Sequence, residues 1–251
     1  MIQSVDRALT ILCFFDHHVQ ELGITEIGQL MNLSKSTVYG LVKTLEAKGF
    51  LVQNQENGKY RLGLKVYELG MAYSASVELK MAAKESAEML STKYQESVHV
   101  AILAGNTAVF VMRNEPRESI YTFPRLGASV PAYITAVGKV LMAYLPEDEL
   151  AKHLSDNMVA YTRNTITDKE KFKEEMAVIK SRGYAIDREE AVSVISCIAA
   201  PIRDQSKRVV AAISLSGETD KILGPEKESI IKDIIGAAGQ VSKLLGYTVK
   251  Y

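Results

Sequence analysis

The chain has 251 residues, 47% of them hydrophobic and 24% charged, and its 30 Lys and Arg balance 30 Asp and Glu. That length is long for one domain and comfortable for two, and the composition is that of a globular protein with real cores. The absence of an apolar run of about 18 residues excludes a membrane-spanning helix, and two cysteines, Cys13 and Cys197, exclude a disulfide framework or a Cys-rich zinc site. The opening MIQSVDRALTILCFF carries Asp6 and Arg7 and has no small-residue cleavage site, so it reads as a folded helix rather than a signal peptide; the cytoplasm is the default compartment.

Apolar residues at 5, 8, 9, 11, 12, 14 and 15 have helical spacing. Gly23 breaks the pattern, and Thr25 is expected to cap a second helix from Glu26 to Met31. After the turn Asn32-Leu33, Ser34 is expected to cap a third helix to Lys48, with Val38, Leu41, Val42 and Leu45 buried and Gly49 as its left-handed stop. Phe50-Leu51-Val52 and Lys59-Tyr60-Arg61-Leu62 flank an Asn57-Gly58 tip, which signals a hairpin. A helix over Leu64–Val77 is expected to link this part to the rest, followed by another over Met81–Tyr94. Strands are then predicted at Val98–Leu103, Thr107–Arg113 and Ile120–Phe123, and helices at Thr135–Tyr144, Pro146–His153 and Asp168–Arg182. Strands return at Tyr184–Asp187, Ser196–Ile202 and Arg208–Ser216, and a helix covers Pro225–Leu245. Helices flanking strands that run as consecutive hairpins predict an α+β domain around one antiparallel sheet.

Helix, helix, turn, helix and hairpin is the order of a winged helix-turn-helix. Residues 34–65 carry Lys35, Lys43, Lys48, Lys59, Arg61 and Lys65 against Glu46 and Glu56, a local excess of four positive charges on a neutral chain. The third helix would enter the major groove with Lys35, Ser36, Thr37, Tyr39, Gly40 and Lys43, while Lys59 and Arg61 on the wing would meet phosphate or the minor groove. Thr25 at the start of the second helix joins this set. Winged helices also serve as protein docking modules, which is the competing reading. Tyr60 and Leu62 alternate with the wing cations and are expected in the core.

Three segments of the second half suggest a small-molecule site. Leu126–Pro131 leads into Ala136-Val137-Gly138, where the exposed N–H groups of a helix start favour an anion such as a carboxylate; tight packing of helix on sheet explains the small residues equally well. Asp187 ends a strand in a stretch too charged to be all core. Cys197, Ser214 and Ser216 punctuate two apolar strands, and alternation puts both serines on one face; a buried structural thiol is the plainer reading of Cys197. Together these residues outline an apolar floor with a few convergent polar groups. Asp187 would repel an acid at close range, so the expected ligand carries a donor at one end and an acid at the other, as in a hydroxy acid or a hydrated keto acid. An aromatic ligand is the alternative and would need Met, Leu and Phe lining.

Enzyme readings find little support. A Cys197 nucleophile needs a histidine base, and only His17, His18, His99 and His153 exist. No Gly-rich phosphate loop or H-E-x-x-H motif is present, so no cofactor and no metal is expected, and His17-His18 reads as a solvated helix end.

In order and spacing, these segments resemble the IclR family of transcription regulators over nearly the whole chain. Ser4–Leu9, Leu33–Tyr39 and Tyr60–Gly63 are similar to the family's opening, recognition helix and wing exit. Ala136–Lys139 with Leu141-Met142-Ala143, then Arg182–Ala185, Ala199-Ala200-Pro201 and Ala212-Ile213-Ser214, follow its C-terminal signature. The resemblance implies a winged helix-turn-helix over 1–64, a linker helix over 65–80 and a GAF-like effector domain over 81–251. It implies binding to double-stranded DNA at a pseudo-palindromic operator, and homodimers paired through the N-terminal domains or homotetramers built as dimers of dimers. It further implies a small organic-acid or aromatic effector at Ala136, Val137, Asp187, Cys197, Ser214 and Ser216, to which the reading of the helix start adds Gly138. A repressor of a catabolic operon is the expected role. The alternatives are a regulator whose degenerate pocket only oligomerises and an enzyme tethered to DNA.

Overall fold

The computed structural model describes residues 1–16, 19–72, 74–116, 124–154 and 158–248, and divides into two units, Met1–Ser74 and Ala75–Tyr251. The strand expected at Ile120–Phe123 and the pair His17-His18 lie outside the described residues.

In the first unit the helices are α1 (Gln3–Cys13), α2 (Ile24–Met31) and α3 (Lys35–Ala47), followed by the antiparallel strands β1 (Leu51–Gln53) and β2 (Tyr60–Leu62) and by α4 (Leu64–Ala72). Ser34 starts α3 as predicted: its backbone is extended and its hydroxyl accepts the Thr37 N–H at 3.4 Å. Gly49, at φ +77°, turns the chain out of the helix. Thr25 does not cap α2. The helix begins at Ile24, two residues earlier than expected, behind Gly23, and the Glu26 carboxylate reaches back to accept the Gly23 N–H at 2.6 Å. Ile11, Ile27, Val38, Val42, Leu45, Leu51 and Tyr60 close the core. Leu62 is exposed, contrary to expectation: it ends a three-residue strand beyond that cluster.

The second unit opens with α5 (Ser74–Tyr94), so Val77 lies inside this helix rather than at the end of the linker helix expected over Leu64–Val77. Strands β3 (Ser97–Ala104), β4 (Thr107–Asn114), β5 (Ser129–Pro131), β6 (Ala185–Arg188), β7 (Ile195–Arg203) and β8 (Val209–Glu218) form one antiparallel sheet in the order β5-β4-β3-β8-β7-β6. The remaining helices are α6 (Ala136–Ala143), α7 (Glu147–His153), α8 (Lys169–Arg182), the short α9 (Thr219–Ile222) and α10 (Lys227–Leu244).

Period-two alternation decides which helices each residue meets. Ile198, Ala200, Ile202, Ala211, Ile213 and Leu215 turn to the face covered by α5 and α10. Cys197, Ala199 and Ala212 turn to the opposite face, under α6 and α8. The small side chains Ala101, Ala185, Ala199 and Ala212 let α6 lie close to the sheet, and every residue of α6 is buried. No described helix is long and apolar enough to cross a membrane.

Candidate functional site

Thr25, Lys35, Ser36, Thr37, Tyr39, Gly40 and Arg61 are all exposed in the first unit, and Lys43 and Lys59 are half-buried. The hydroxyls of Ser34, Ser36 and Thr37 cluster at the start of α3, 2.9–3.0 Å from one another through Ser34. Among the described residues no atom lies within 4 Å of a Cβ built on Gly40, so this stretch of the helix is open. The cations divide into two kinds. Lys43 pairs with Glu46 at 2.7 Å and lies over the rings of Tyr39 and Tyr60; Lys59 pairs with Glu26 at 2.9 Å and so ties the wing to α2. Asn54 and Asn57 at the wing tip donate to Glu21, a second tie. Lys35 and Arg61 have no ion pair among the described residues. The surface thus offers Lys35 and Arg61, a hydroxyl cluster and Tyr39 around an exposed helix start, a set suited to phosphates and base edges.

In the second unit a cleft opens over the sheet where α6 begins. Six of the seven predicted effector residues line it: Ala136, Val137, Asp187, Cys197, Ser214 and Ser216. Gly138 stands behind this wall. A Cβ there would lie 2.0 Å from the Ala132 carbonyl oxygen, and its N–H donates to the Thr135 hydroxyl at 3.1 Å. Thr135 thereby caps α6, which leaves the first-turn N–H groups of Ala136 and Val137 at the cleft without intrahelical acceptors. Phe110, Pro124, Thr135, Ala191, Val192 and Ile195 also line the cleft. Sequence reading missed them; the alternation of Ala108 and Phe110 along β4 was the one available signal.

The polar floor is ordered by strand register. Ser216 faces Cys197, and Cys197 faces Asp187, as direct cross-strand partners. The Ser216 hydroxyl donates to Cys197 Sγ at 3.0 Å and lies 3.3 Å from His99 Nδ1. The His99 ring meets Phe110 edge-on, with centroids 5.6 Å apart. Burial, reinforced by the Arg113 charge, pushes His99 down to about 3, so its imidazole is neutral. Burial and the neighbouring Glu190 carboxylate raise Asp187 to about 7, against the pull of Lys139. Burial, then Asp187, drives Cys197 well above the usual thiol range. A protonated thiol bonded to a serine is the reverse of an activated nucleophile. The described residues hold no cluster of three or more metal-ligating side chains. What the site offers is a helix start, two hydroxyls, a thiol and a carboxyl group poised near neutrality, walled by apolar side chains.

Comparisons with known proteins agree with both halves. Residues 4–55 match the IclR helix-turn-helix domain, and residues 71–243 match the bacterial transcriptional regulator IclR C-terminal domain. The chain is 38% identical to the HTH-type transcriptional regulator XynR of Escherichia coli strain K12, over 98% of both chains. It is similar in structure to the Thermotoga maritima IclR, at a TM-score of 0.72 and 30% identity, over 98% of this chain and 100% of that one. An IclR homolog from Microbacterium hydrocarbonoxydans, complexed with 4-hydroxybenzoate, shares the fold at a TM-score of 0.86 and 24% identity, over 96% and 98% of the two chains.

Proposed function

The chain belongs to the IclR family of bacterial transcriptional regulators, and from that premise we propose that a small organic acid bound in the α6 cleft controls how tightly the N-terminal unit holds its operator. The observation that carries this reading is the convergence of Ala136, Val137, Asp187, Cys197, Ser214 and Ser216 on one cleft, from one helix and three strands. A carboxylate suits the N–H groups and partial positive charge of the helix start. A hydroxyl on the ligand suits Asp187, and Phe110, Val192 and Ile195 supply apolar wall between. Hydroxy acids, aliphatic or aromatic, meet all three demands, and the 4-hydroxybenzoate held by the Microbacterium hydrocarbonoxydans homolog is of this class. The protein acts in the cytoplasm, as a repressor released from a pseudo-palindromic operator by its ligand. It pairs through the first unit, where Ile2, just before α1, and Val5 and Leu9 on it are exposed.

A thermal-shift screen of aliphatic and aromatic hydroxy acids tests the site. A ligand of the native state raises stability by mass action, about 2.7 kcal/mol at a hundredfold excess over Kd. At least one acid is expected to stabilise the wild type, and Ser214→Ala combined with Asp187→Asn is expected to abolish the shift. Stabilisation that survives the double substitution would put the ligand elsewhere.

A further inference from the structure

We propose that Lys139 and Glu190 are positioning residues of the cleft: they touch no ligand, but hold Asp187 in place and decide which ligands it accepts. The proposal rests on the reading of the cleft as the effector site. Lys139 is the one charged residue of α6 and is 1% exposed. Its ammonium donates to the Ile186 carbonyl at 2.7 Å and to Glu190 Oε1 at 2.5 Å. The same carboxylate oxygen accepts the Arg188 N–H at 3.2 Å, and the Glu190 N–H donates to Asp187 Oδ1 at 2.6 Å. The Thr165 hydroxyl bonds the Glu190 carbonyl at 2.7 Å. One buried cation therefore fastens the first turn of α6, which carries two cleft residues, to the strand end and loop that carry Asp187, Ala191 and Val192. That loop is bent through left-handed backbone at Glu189 (φ 59°) and Val194 (φ 64°), which for a β-branched valine is strained and needs holding.

Stability alone does not explain a buried pair here, since an apolar pair of similar volume serves a core at least as well. Glu190 Oε2 is buried without a hydrogen-bond partner among the described residues, a cost that an apolar residue would not incur. What an apolar pair lacks is a field at Asp187. The groups facing Asp187 are Glu190 and Arg188 from its own strand and loop, Lys139 from α6, Cys197 from β7, and Ser216 of β8 with His99 of β3 behind it. Cys197 and His99 are neutral and Arg188 is exposed, which leaves Glu190 and Lys139 as the buried charges. Glu190 favours the protonated acid, which donates a hydrogen bond to an anionic ligand; Lys139 favours the carboxylate, which repels that anion and accepts from a hydroxyl.

The test uses the full-length chain with Glu190→Gln, Lys139→Met and the double variant, each without ligand. Asp187 is titrated through its side-chain ¹³C carboxyl resonance, identified by its absence in Asp187→Asn. Glu190→Gln is expected to lower the midpoint and Lys139→Met to raise it, each by about one unit or more, with the double variant between. A loss of packing alone does not shift the two in opposite directions. If Lys139→Met fails to fold, Glu190→Gln must still lie below wild type and the double variant above Glu190→Gln. Shifts of one sign, or none, overturn the proposal. Thermal shifts with 4-hydroxybenzoate across the same pH range supply the second readout. The pH at which stabilisation changes is expected to follow the midpoint in each variant; an unmoved response overturns the proposal while leaving the effector site standing. If no hydroxy acid stabilises the wild type at any pH, the effector reading itself fails.

Discussion

Replacing Lys35 and Arg61 together with alanine is expected to weaken binding to cognate DNA about 30-fold at about 0.15 M salt and to flatten the salt dependence by about two units. The figure follows from counterion release: each phosphate contact contributes a slope of about 0.9, worth about fivefold at that ionic strength. These two side chains are chosen because they are exposed and have no ion pair among the described residues, whereas Lys43 and Lys59 are held by Glu46 and Glu26. A paired lysine must break or share its ion pair before it meets a phosphate, so Lys59→Ala is expected to flatten the slope less than Arg61→Ala does. It acts instead by loosening the wing from α2. Fluorescence anisotropy on duplexes selected from a random pool, at several salt concentrations, measures both effects. An unchanged slope in the double variant would show that this face is not the DNA face.

Asp187→Asn is expected to make the protein more sensitive to acid than the wild type. His99 falls to about 3 in the fold from an ordinary 6.5, so the unfolded chain binds the extra proton; His99 stability is complete above pH 6.5 and is lost as the pH falls towards 3. Asp187 rises to about 7 from 3.8, so the folded chain binds the extra proton; its contribution is complete below pH 3.8 and is lost as the pH rises through 7. Between 3.8 and 6.5 the two slopes oppose, each at most about 1.4 kcal/mol per pH unit, and largely cancel. Asparagine keeps the acceptor for the Glu190 N–H but removes the titration, leaving the histidine slope unopposed. Relative to wild type, Asp187→Asn should lose stability steadily from pH 6.5 to pH 4, and His99→Gln should gain it. Urea unfolding at each pH measures the difference; curves that stay parallel to wild type would contradict the assignment of these buried states.

Local signals in the sequence were strong where one residue decides the backbone. Ser34 and Gly49 bracketed the third helix because a hydroxyl cap and a left-handed glycine act on their own neighbours. The start of α2 was misplaced because its cap is a glutamate reaching backward, which leaves Thr25 inside the first turn. Strand β5 was invisible: it is three residues long, ends in Pro131 and pairs on one side only, at a sheet edge where proline is tolerated. The polar cleft residues were legible because alternation places Ser214 and Ser216 on one face whatever the topology. The apolar walls were not, since Phe110, Pro124 and Val192 meet only through the finished sheet and loop. Lys139 and Glu190 lie 51 residues apart, and nothing local marks a lysine in an apolar helix as buried rather than snorkelling to solvent.

Thermodynamic coupling between the cleft and the DNA-binding unit is reciprocal, which makes it measurable in one titration. A selected operator duplex is titrated with the protein, with and without the hydroxy acid that gives the largest thermal shift, using wild type and Ser214→Ala/Asp187→Asn. The expected result is a fall in operator affinity of about 5- to 150-fold when the acid saturates the wild type, and no change in the double variant, which binds DNA as tightly as wild type without ligand. An operator affinity that stays the same when the acid is fully bound would contradict the account.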